Sequence, residues 1–185
     1  MRTLIRGAGD DPDREGLRET PARVVRAYDE WFSGYRADPA AVLAQTFEAT
    51  DGYDDTVVLR DIPLASTCEH HMAPIQGVVH IAYRPNGRVI GISKLARLVD
   101  AFGRRLQIQE RLTRQIATTL EAALQPAGVG VVIVARHGCM TTRGVNHPGV
   151  AMATRCWLGA FQTEPTLRAE AFGDLALTAE GRSCR

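Results

Sequence analysis

Apolar residues recur along this chain with two different periods, and the change of period divides it into helices and strands. Spacings of three and four residues are typical of a helix with one buried face, whereas alternation and short apolar runs are typical of strands. The predicted helices are Thr20 to Gly34, Asp38 to Phe47, Ser93 to about Gly103, Gln107 to about Leu124 and Pro165 to Leu175. The predicted strands are Thr56 to Thr67, Gly77 to Arg84, Val89 to Ile92, Val129 to Ala135 and Ala151 to Phe161.

Capping and turn residues mark the ends of these elements. Thr20 and Ser93 are the predicted N-caps of their helices, because their hydroxyl oxygens can accept the free backbone N–H groups of a first turn. The tripeptide Pro85-Asn86-Gly87 is a tight-turn signal, so it predicts a hairpin between the strands on either side of it. The order of elements predicts an α+β fold, with an antiparallel sheet that carries its helices on one face.

Length and charge limit the possible functions. The chain of 185 residues suits one structural unit, with an N-terminal helical region over 1–50 and a β-rich domain over 51–185. A net charge of +1 gives no general attraction to nucleic acid or membrane, so neither is an expected partner. No apolar stretch approaches the roughly 20 residues of a membrane span, and the N-terminus lacks the apolar run of a signal peptide. These features predict a cytoplasmic protein.

Three residues are candidates for holding a metal while leaving one position open. They are Cys68 and His71, in Cys68-Glu69-His70-His71, and Cys139, in His137-Gly138-Cys139. Catalytic zinc sites have three protein ligands and a water, and the metal lowers the pKa of that water to about 7. His70 and His137 adjoin these ligands and are candidate proton carriers. Because the two segments are far apart in sequence, spacing alone leaves both a zinc site and unliganded side chains open.

Other residues are candidates for binding a nucleotide. Glu110, with Gln109 beside it, can accept two N–H bonds from the edge of a guanine. Candidate phosphate contacts are Ser93, Lys94, Arg97, Arg143, Arg23 and Arg26. Each has an ordinary alternative, namely a solvated cation, a capped surface helix or an acid that compensates a helix dipole. Taken together with a hydrolytic metal site, they indicate a nucleotide hydrolase.

Longer motifs in the same order resemble the GTP cyclohydrolase I family over about Asp13 to Leu175. The segments that carry the resemblance are Glu15 to Val24, Cys68 to Pro74, His80 to Tyr83, Val89 to Arg97, Gln109 to Thr113 and His137 to Val145. The resemblance implies the tunnelling fold, in which two antiparallel hairpins have two helices between them, here preceded by an N-terminal helical segment. It also implies a homodecamer of two pentamers, with active sites at the subunit interfaces.

Carried over residue by residue, the resemblance also implies the roles of the candidate residues. Cys68, His71 and Cys139 match the ligands of Zn²⁺, and His70 and His137 match the histidines that handle protons. Glu110 matches the acid that holds guanine, with Gln109 beside it. Arg23, Ser93, Lys94, Arg97 and Arg143 match triphosphate contacts, and Arg26 stands where the family usually has Lys. The implied reaction hydrolyses GTP, releases formate and yields 7,8-dihydroneopterin triphosphate.

The chain departs from the family pattern after Val145. Val150, Met152 and Arg155 replace three hydroxyl residues, and His147 replaces a cation. Because lost hydroxyls change which polar groups a ligand can satisfy, two alternatives to the full reaction stay open. One is a paralogue that acts on a related purine nucleotide or stops at a ring-opened or deformylated pyrimidine. The other is a non-catalytic oligomer that binds zinc or a nucleotide.

Overall fold

The computed structural model describes residues 1–48 and 52–173. Its helices are α1 (Arg2–Gly7), α2 (Thr20–Trp31), α3 (Pro39–Val42), α4 (Ile92–Gly103), α5 (Gln109–Leu124), α6 (Gly138–Thr141), α7 (Ala160–Thr163) and α8 (Pro165–Phe172). Its strands are β1 (Thr46–Glu48), β2 (Val57–Cys68), β3 (Pro74–Arg84), β4 (Arg88–Ile90), β5 (Leu106–Gln107), β6 (Gly128–His137) and β7 (Met152–Gly159). Short 3₁₀ turns at Glu15–Leu17 and Ser33–Arg36 flank α2.

Two antiparallel hairpins form the main sheet. Its five strands lie in the order β5-β2-β3-β6-β7. β2 pairs with β3 and β6 pairs with β7, both antiparallel, and β3 joins the two hairpins by pairing with β6. The helices α4 and α5 lie between the hairpins in sequence. This is the α+β arrangement of two hairpins and two intervening helices that the resemblance implied, and that prediction is confirmed.

Apolar residues cover both faces of the sheet. On one face Val79 and Ile81 belong to a large core that includes residues of α4 and α5, such as Leu98 and Ile116. On the other face Val78 lies in a second cluster, whose remaining members include Ala82, Val132, Phe161, Leu167 and Phe172. The prediction that all helices lie on one face is therefore wrong for α7 and α8. The physical reason is that the central strands are apolar on both sides, so each side needs a cover.

The segment around Phe47 is a strand and not the end of a helix. The helix predicted from Asp38 to Phe47 stops at Val42, and Phe47 pairs with Val89 in a small sheet of β1 and β4. The hairpin predicted across Pro85-Asn86-Gly87 is consequently wrong, since β4 pairs with β1. β3 cannot pair with β4 because β2 and β6 already occupy both of its edges.

Two of the predicted N-caps are also displaced. The cap of α2 is Glu19 and the cap of α4 is Gly91, and neither makes a side-chain capping bond. Thr20 and Ser93 instead lie inside the first turns of these helices. A third helix start behaves as its sequence suggests, because the amide of Ala40 donates to Asp38 Oδ1 at 3.0 Å. α8 ends at Phe172, and the predicted end at Leu175 lies outside the described residues.

His80 has a structural position. It is 2% exposed, and its Nδ1 accepts the amide N–H of Asp61 at 3.1 Å. Asp61 has a φ of 56° where the β2–β3 pairing shifts register between Leu59 and Ile62. Burial lowers the pKa of His80, with a smaller opposing influence from the Asp61 charge. The ring therefore supports the irregular part of β2 in its neutral form.

Strand register brings three chain segments to one end of the main sheet. Thr67 pairs with Pro74 and His137 pairs with Ile75, so β2 ends, β3 begins and β6 ends at the same place. Cys68 pairs in parallel with Gln107, directly before α5. This end of the sheet therefore gathers the turn after β2, the segment after β6 and the start of α5. Among the residues that the structure describes, no helix has the length and apolar character of a membrane span.

The register at this end depends on Gly77, which leads to a first prediction. A Cβ on Gly77 would lie 2.1 Å from the carbonyl oxygen of Val134 and 2.5 Å from the Cα of Ala135. Gly77→Ala should therefore lower the free energy of unfolding by about 1–3 kcal/mol or more, measured by urea denaturation. Gly149→Ala is the control, since a Cβ there would meet nothing within 4 Å. Equal stability of the two variants would show that β3 and β6 do not pack this closely.

Candidate metal centre and active site

Two short segments place the metal-ligand candidates. Cys68 is the last residue of β2, and the following turn is closed by the amide of Met72 donating to the Cys68 carbonyl at 2.8 Å. Met72 has a φ of 52°, so the chain reverses here and holds His71 within the turn. Cys139 lies in α6, immediately after β6. A Cβ on Gly138 would meet the Pro74 ring at 3.0 Å, and the glycine lets α6 pack on the start of β3.

The three candidate ligands meet. The donor atoms of Cys68, His71 and Cys139 all lie within 4.8 Å of one another, and Cys68 Sγ lies 3.9 Å from His71 Nδ1. Tetrahedral coordination with usual zinc bond lengths would place a sulfur and an imidazole nitrogen about 3.6 Å apart. Two thiols and an imidazole form a donor set suited to borderline and soft divalent cations. The cluster is thus compatible with a metal ion held by three ligands of one chain.

The charges at the cluster also suit a cation. Burial raises the pKa of Cys139, and the neighbouring Cys68 raises it further, with a small opposing influence from the Arg143 charge. Two adjacent thiols disfavour each other's ionisation in the absence of a counter-charge. A bound divalent cation reverses this effect and favours both thiolates. The short distance between Cys68 and Cys139 therefore disfavours two thiolates without a counter-charge but suits two thiolates that bind the same cation.

His137 is the better enclosed of the two candidate proton carriers. It ends β6, two residues before Cys139, and its Nε2 lies 2.8 Å from Gln109 Oε1. Burial lowers the pKa of His137 below its ordinary value, although the nearby Glu110 charge opposes the shift. The ring is therefore neutral at neutral pH. A neutral imidazole carries one N–H and one free lone pair, as proton transfer requires.

His70 occupies a different environment. Its side chain is 64% exposed, and its Nε2 lies 3.8 Å from Glu69 Oε1. The Glu69 carboxylate also contacts the guanidinium of Arg111 on α5. The turn after β2 is thus tied to α5 through Glu69, and His70 faces outward beside His71. In this position the imidazole can exchange protons with solvent or with a molecule bound at the surface.

The residues predicted to bind a nucleotide are mostly exposed, and they are spread over four parts of the fold. Glu110 is exposed in the first turn of α5, next to the buried Gln109. The remaining candidates are Arg23 and Arg26 on α2, Ser93, Lys94 and Arg97 on α4, and Arg143 after α6. In residues 1–48 and 52–173, no hydrogen bond or ion pair joins the α2 and α4 cations to the cysteine–histidine cluster. One chain brings the metal ligands together but leaves the phosphate candidates apart.

Two threonines near His137 were not found from the sequence. Gln109 donates from Nε2 to Thr154 Oγ1 at 3.1 Å, and Thr113 Oγ1 lies 2.7 Å from Thr154 Oγ1. Thr154 belongs to the altered stretch after Val145, but it keeps its hydroxyl. Only the pairing of β6 with β7 brings it to α5, so the sequence carried no direct signal of the contact.

The altered residues of that stretch do not disrupt this contact. Met152 contributes its backbone carbonyl to Gln109 at 3.0 Å, which any residue at this position can do. Arg155 follows Thr154 on a strand, so its side chain points to the opposite face of the sheet. There it lies with Trp157 and Phe172, beside α8. Val150 is exposed before β7.

A cavity lies beside the turn that follows β2, and its lining includes Thr67 and Pro74. It has a volume of about 510 Å³ and lies between α2 and the ends of β2 and β3. Its lining includes Trp31, Ser66 and Met72, but none of the three metal-ligand candidates. The three candidate ligands therefore do not line this cavity, although two of its lining residues, Thr67 and Met72, adjoin Cys68 and His71 in sequence.

Comparisons with known proteins relate this chain to one family. A family model described as GTP cyclohydrolase I matches residues 1–176. The GTP cyclohydrolase 1 of Maricaulis maris (strain MCS10) is 55% identical over 168 residues, which cover 91% of this chain and 82% of that protein. The GTP cyclohydrolase 1 of Sinorhizobium fredii (strain NBRC 101917 / NGR234) is 52% identical over 169 residues, with the same coverage of 91% and 82%.

Among solved structures, the chain is similar to the archaeosine synthase QueF-Like in its apo form. The TM-score is 0.48 at 22% sequence identity, and the match covers 56% of this chain and 93% of that chain.

Zinc titration provides a second prediction. Cys139→Ser should sharply weaken the binding of Zn²⁺, because it replaces one of three converging donors with a poorer ligand. Cys156→Ser is the matched control, since Cys156 packs against the core on β7 and lies outside the cluster. Competition with a chromophoric chelator measures both affinities. Equal affinity in the two variants would show that Cys139 is not a ligand.

Proposed function

Because the chain belongs to the GTP cyclohydrolase I family, we propose that it binds Zn²⁺ at Cys68, His71 and Cys139 and converts GTP to 7,8-dihydroneopterin triphosphate with release of formate. The observation that carries the proposal is the convergence of these three donors beside a half-buried His137 whose pKa is lowered by burial. Such a site is open to a fourth ligand. That property separates catalytic zinc sites from structural ones.

The metal and the two histidines would divide the hydrolytic chemistry. Zn²⁺ held by these three residues would supply Lewis-acid polarisation and activate water near neutral pH. His137, enclosed and neutral, would transfer protons to and from the purine ring. His70, exposed in the turn after β2, would exchange protons with solvent.

Glu110 would select guanine. An ionised carboxylate only accepts hydrogen bonds, and guanine presents two adjacent N–H donors on its Watson–Crick edge. Adenine offers no such pair, so it would leave the carboxylate without partners, at a cost that favours GTP. The exposure of Glu110 at the start of α5, one residue after the amide that holds His137, supports this role.

The triphosphate would be bound by Arg23, Arg26, Ser93, Lys94, Arg97 and Arg143. Their exposure and separation within one chain support an active site completed by neighbouring subunits. Two exposed apolar residues adjoin them, because Val25 lies between Arg23 and Arg26 and Ile92 precedes Ser93. The family resemblance implies the same arrangement, with active sites shared between subunits. We infer a homo-oligomer, a decamer of two pentamers, with its sites at the interfaces.

Product analysis tests the reaction. Zinc-loaded protein is incubated with GTP, the products are identified by mass spectrometry and formate is assayed in parallel. Dihydroneopterin triphosphate with an equal amount of formate is the expected result. A ring-opened or deformylated pyrimidine would mean that the reaction stops early. Untouched GTP on zinc-loaded protein would contradict the proposal and favour a related purine nucleotide or a binding function.

Glu110 offers a further prediction about base selection. Glu110→Gln should weaken GTP binding by about 1–3 kcal/mol, since a donor NH₂ replaces one of the two acceptor oxygens facing the base. Binding of ATP should change little. The control is Glu121→Gln, an exposed carboxylate at the other end of the same helix. Calorimetry measures the affinity of each variant for GTP and for ATP. Equal losses of affinity for the two nucleotides would exclude the selection of guanine by Glu110.

A further inference from the structure

The side-chain amide of Gln109 connects His137 to the body of the sheet. Gln109 is 1% exposed and begins α5. Its Oε1 lies 2.8 Å from His137 Nε2. On the other side, its Nε2 lies 3.1 Å from the Ile133 carbonyl, 3.0 Å from the Met152 carbonyl and 3.1 Å from Thr154 Oγ1. Every polar atom of this buried amide thus has a partner.

The partners fix which way the amide points. Two of the three groups around Nε2 are backbone carbonyls, and a carbonyl oxygen only accepts hydrogen bonds. An amide turned by 180° would point Oε1 at both carbonyl oxygens, so that acceptors would face one another with no hydrogen between them. The NH₂ group must therefore face Ile133 and Met152. Oε1 must then face His137, and because Oε1 only accepts, His137 Nε2 must carry a hydrogen.

A ring of hydroxyl bonds supports the same orientation. Thr113 Oγ1 lies 2.7 Å from the Gln109 carbonyl, to which it can only donate. Its single hydrogen is then used, so Thr154 Oγ1 donates to Thr113 across 2.7 Å. The Thr154 oxygen is left to accept from Gln109 Nε2. The direction of each hydrogen bond follows from the one before. The ring of bonds begins at the Gln109 backbone carbonyl and returns to the Gln109 side-chain amide.

We propose that Gln109 is a positioning residue that fixes a hydrogen on His137 Nε2 and directs Nδ1 to the proton transfers of the reaction. Among the described residues, the bond to Gln109 is the one hydrogen bond of the His137 ring. Nδ1 therefore keeps its lone pair free to accept a proton, and the protonated ring would donate from the same atom. The assignment of this proton transfer to the reaction rests on the proposed function, whereas the tautomer does not.

This role differs from the substrate contact implied by the family resemblance. Both hydrogens of the Gln109 amide are already shared among three acceptors of its own chain. A base that required one of these hydrogens would have to break a buried bond. Glu110, which is exposed on the next residue, meets the base without such a loss. Gln109 is expected to act through His137 and not on the nucleotide.

The tautomer can be measured directly by nitrogen NMR. Zinc-loaded protein carrying ¹⁵N-labelled histidine is examined above pH 7.5, which is well above the ordinary histidine pKa of about 6.5, and the His137 signals are assigned by their loss in His137→Asn. The wild-type protein should show a protonated Nε2 and an unprotonated Nδ1. A protonated Nδ1 would overturn the proposal. No turnover of GTP is needed, so failure of the proposed function would not affect this result.

Two variants of Gln109 separate positioning from general support of the fold. Gln109→Met keeps the length but removes both hydrogen-bonding groups, so His137 should populate both tautomers. Gln109→Glu keeps an acceptor facing Nε2 and should retain the Nε2–H tautomer, even though its carboxylate faces two carbonyls and lowers stability. Gln115→Met is the control on the same helix, because Gln115 bonds to Gln107 and not to His137. The tautomer in Gln115→Met should be that of the wild type.

Kinetics complete the test. Gln109→Met should lower kcat for GTP by about 10- to 100-fold, as is usual for residues that orient an active-site histidine, with KM and zinc content little changed. An unchanged tautomer in Gln109→Met would contradict the proposal. A rise in KM with kcat preserved would also contradict it, since that pattern belongs to a substrate contact.

Discussion

The pairing of β3 with both β2 and β6 is the constraint on which the site depends. Because β3 is flanked on both edges, the turn after β2 and the segment after β6 emerge at the same end of the sheet. Cys68 and Cys139 are far apart in sequence but become neighbours through this register. A shift of one residue would move every side chain of the strand to the opposite face and separate the cluster. Gly77 permits the close approach of β3 and β6.

The start of α5 adds the polar groups that this end of the sheet needs. Gln107 pairs with Cys68, and Gln109 reaches between β6 and β7 to His137. Glu110, on the following residue, faces outward. The start of α5 therefore serves three parts of the proposed site. It pairs with Cys68 next to the turn that holds His71, it bonds to His137, and it presents the Glu110 carboxylate. In the proposed site this shared backbone would hold the catalytic groups in fixed positions, while the proposed phosphate contacts lie on α2, on α4 and after α6.

The sequence predicted which metal-ligand candidates lie together, but it did not predict the residues that hold His137 in place. Cys68, His71 and Cys139 could be selected from the sequence because cysteine and histidine side chains grouped in two short motifs are typical metal ligands. The structure brings their donor atoms together. The hydrogen-bond network of Gln109, Thr113 and Thr154 could not be predicted from the sequence, because it depends on the register of β6 with β7. The fold class was predictable from the order of elements. The position of α8 and the partner of β4 were not, because local patterns do not show which strand edges and faces remain free.

Zinc-edge X-ray absorption on the zinc-loaded protein measures the open site most directly. Two sulfurs at about 2.3 Å, one imidazole identified by its multiple scattering, and one further light atom are the expected ligands. The light atom should be exchangeable, so its contribution should change when a small anionic ligand is added. A third sulfur or a second imidazole would instead show four protein ligands. The metal would then be structural, and the hydrolytic function of the cluster would be contradicted.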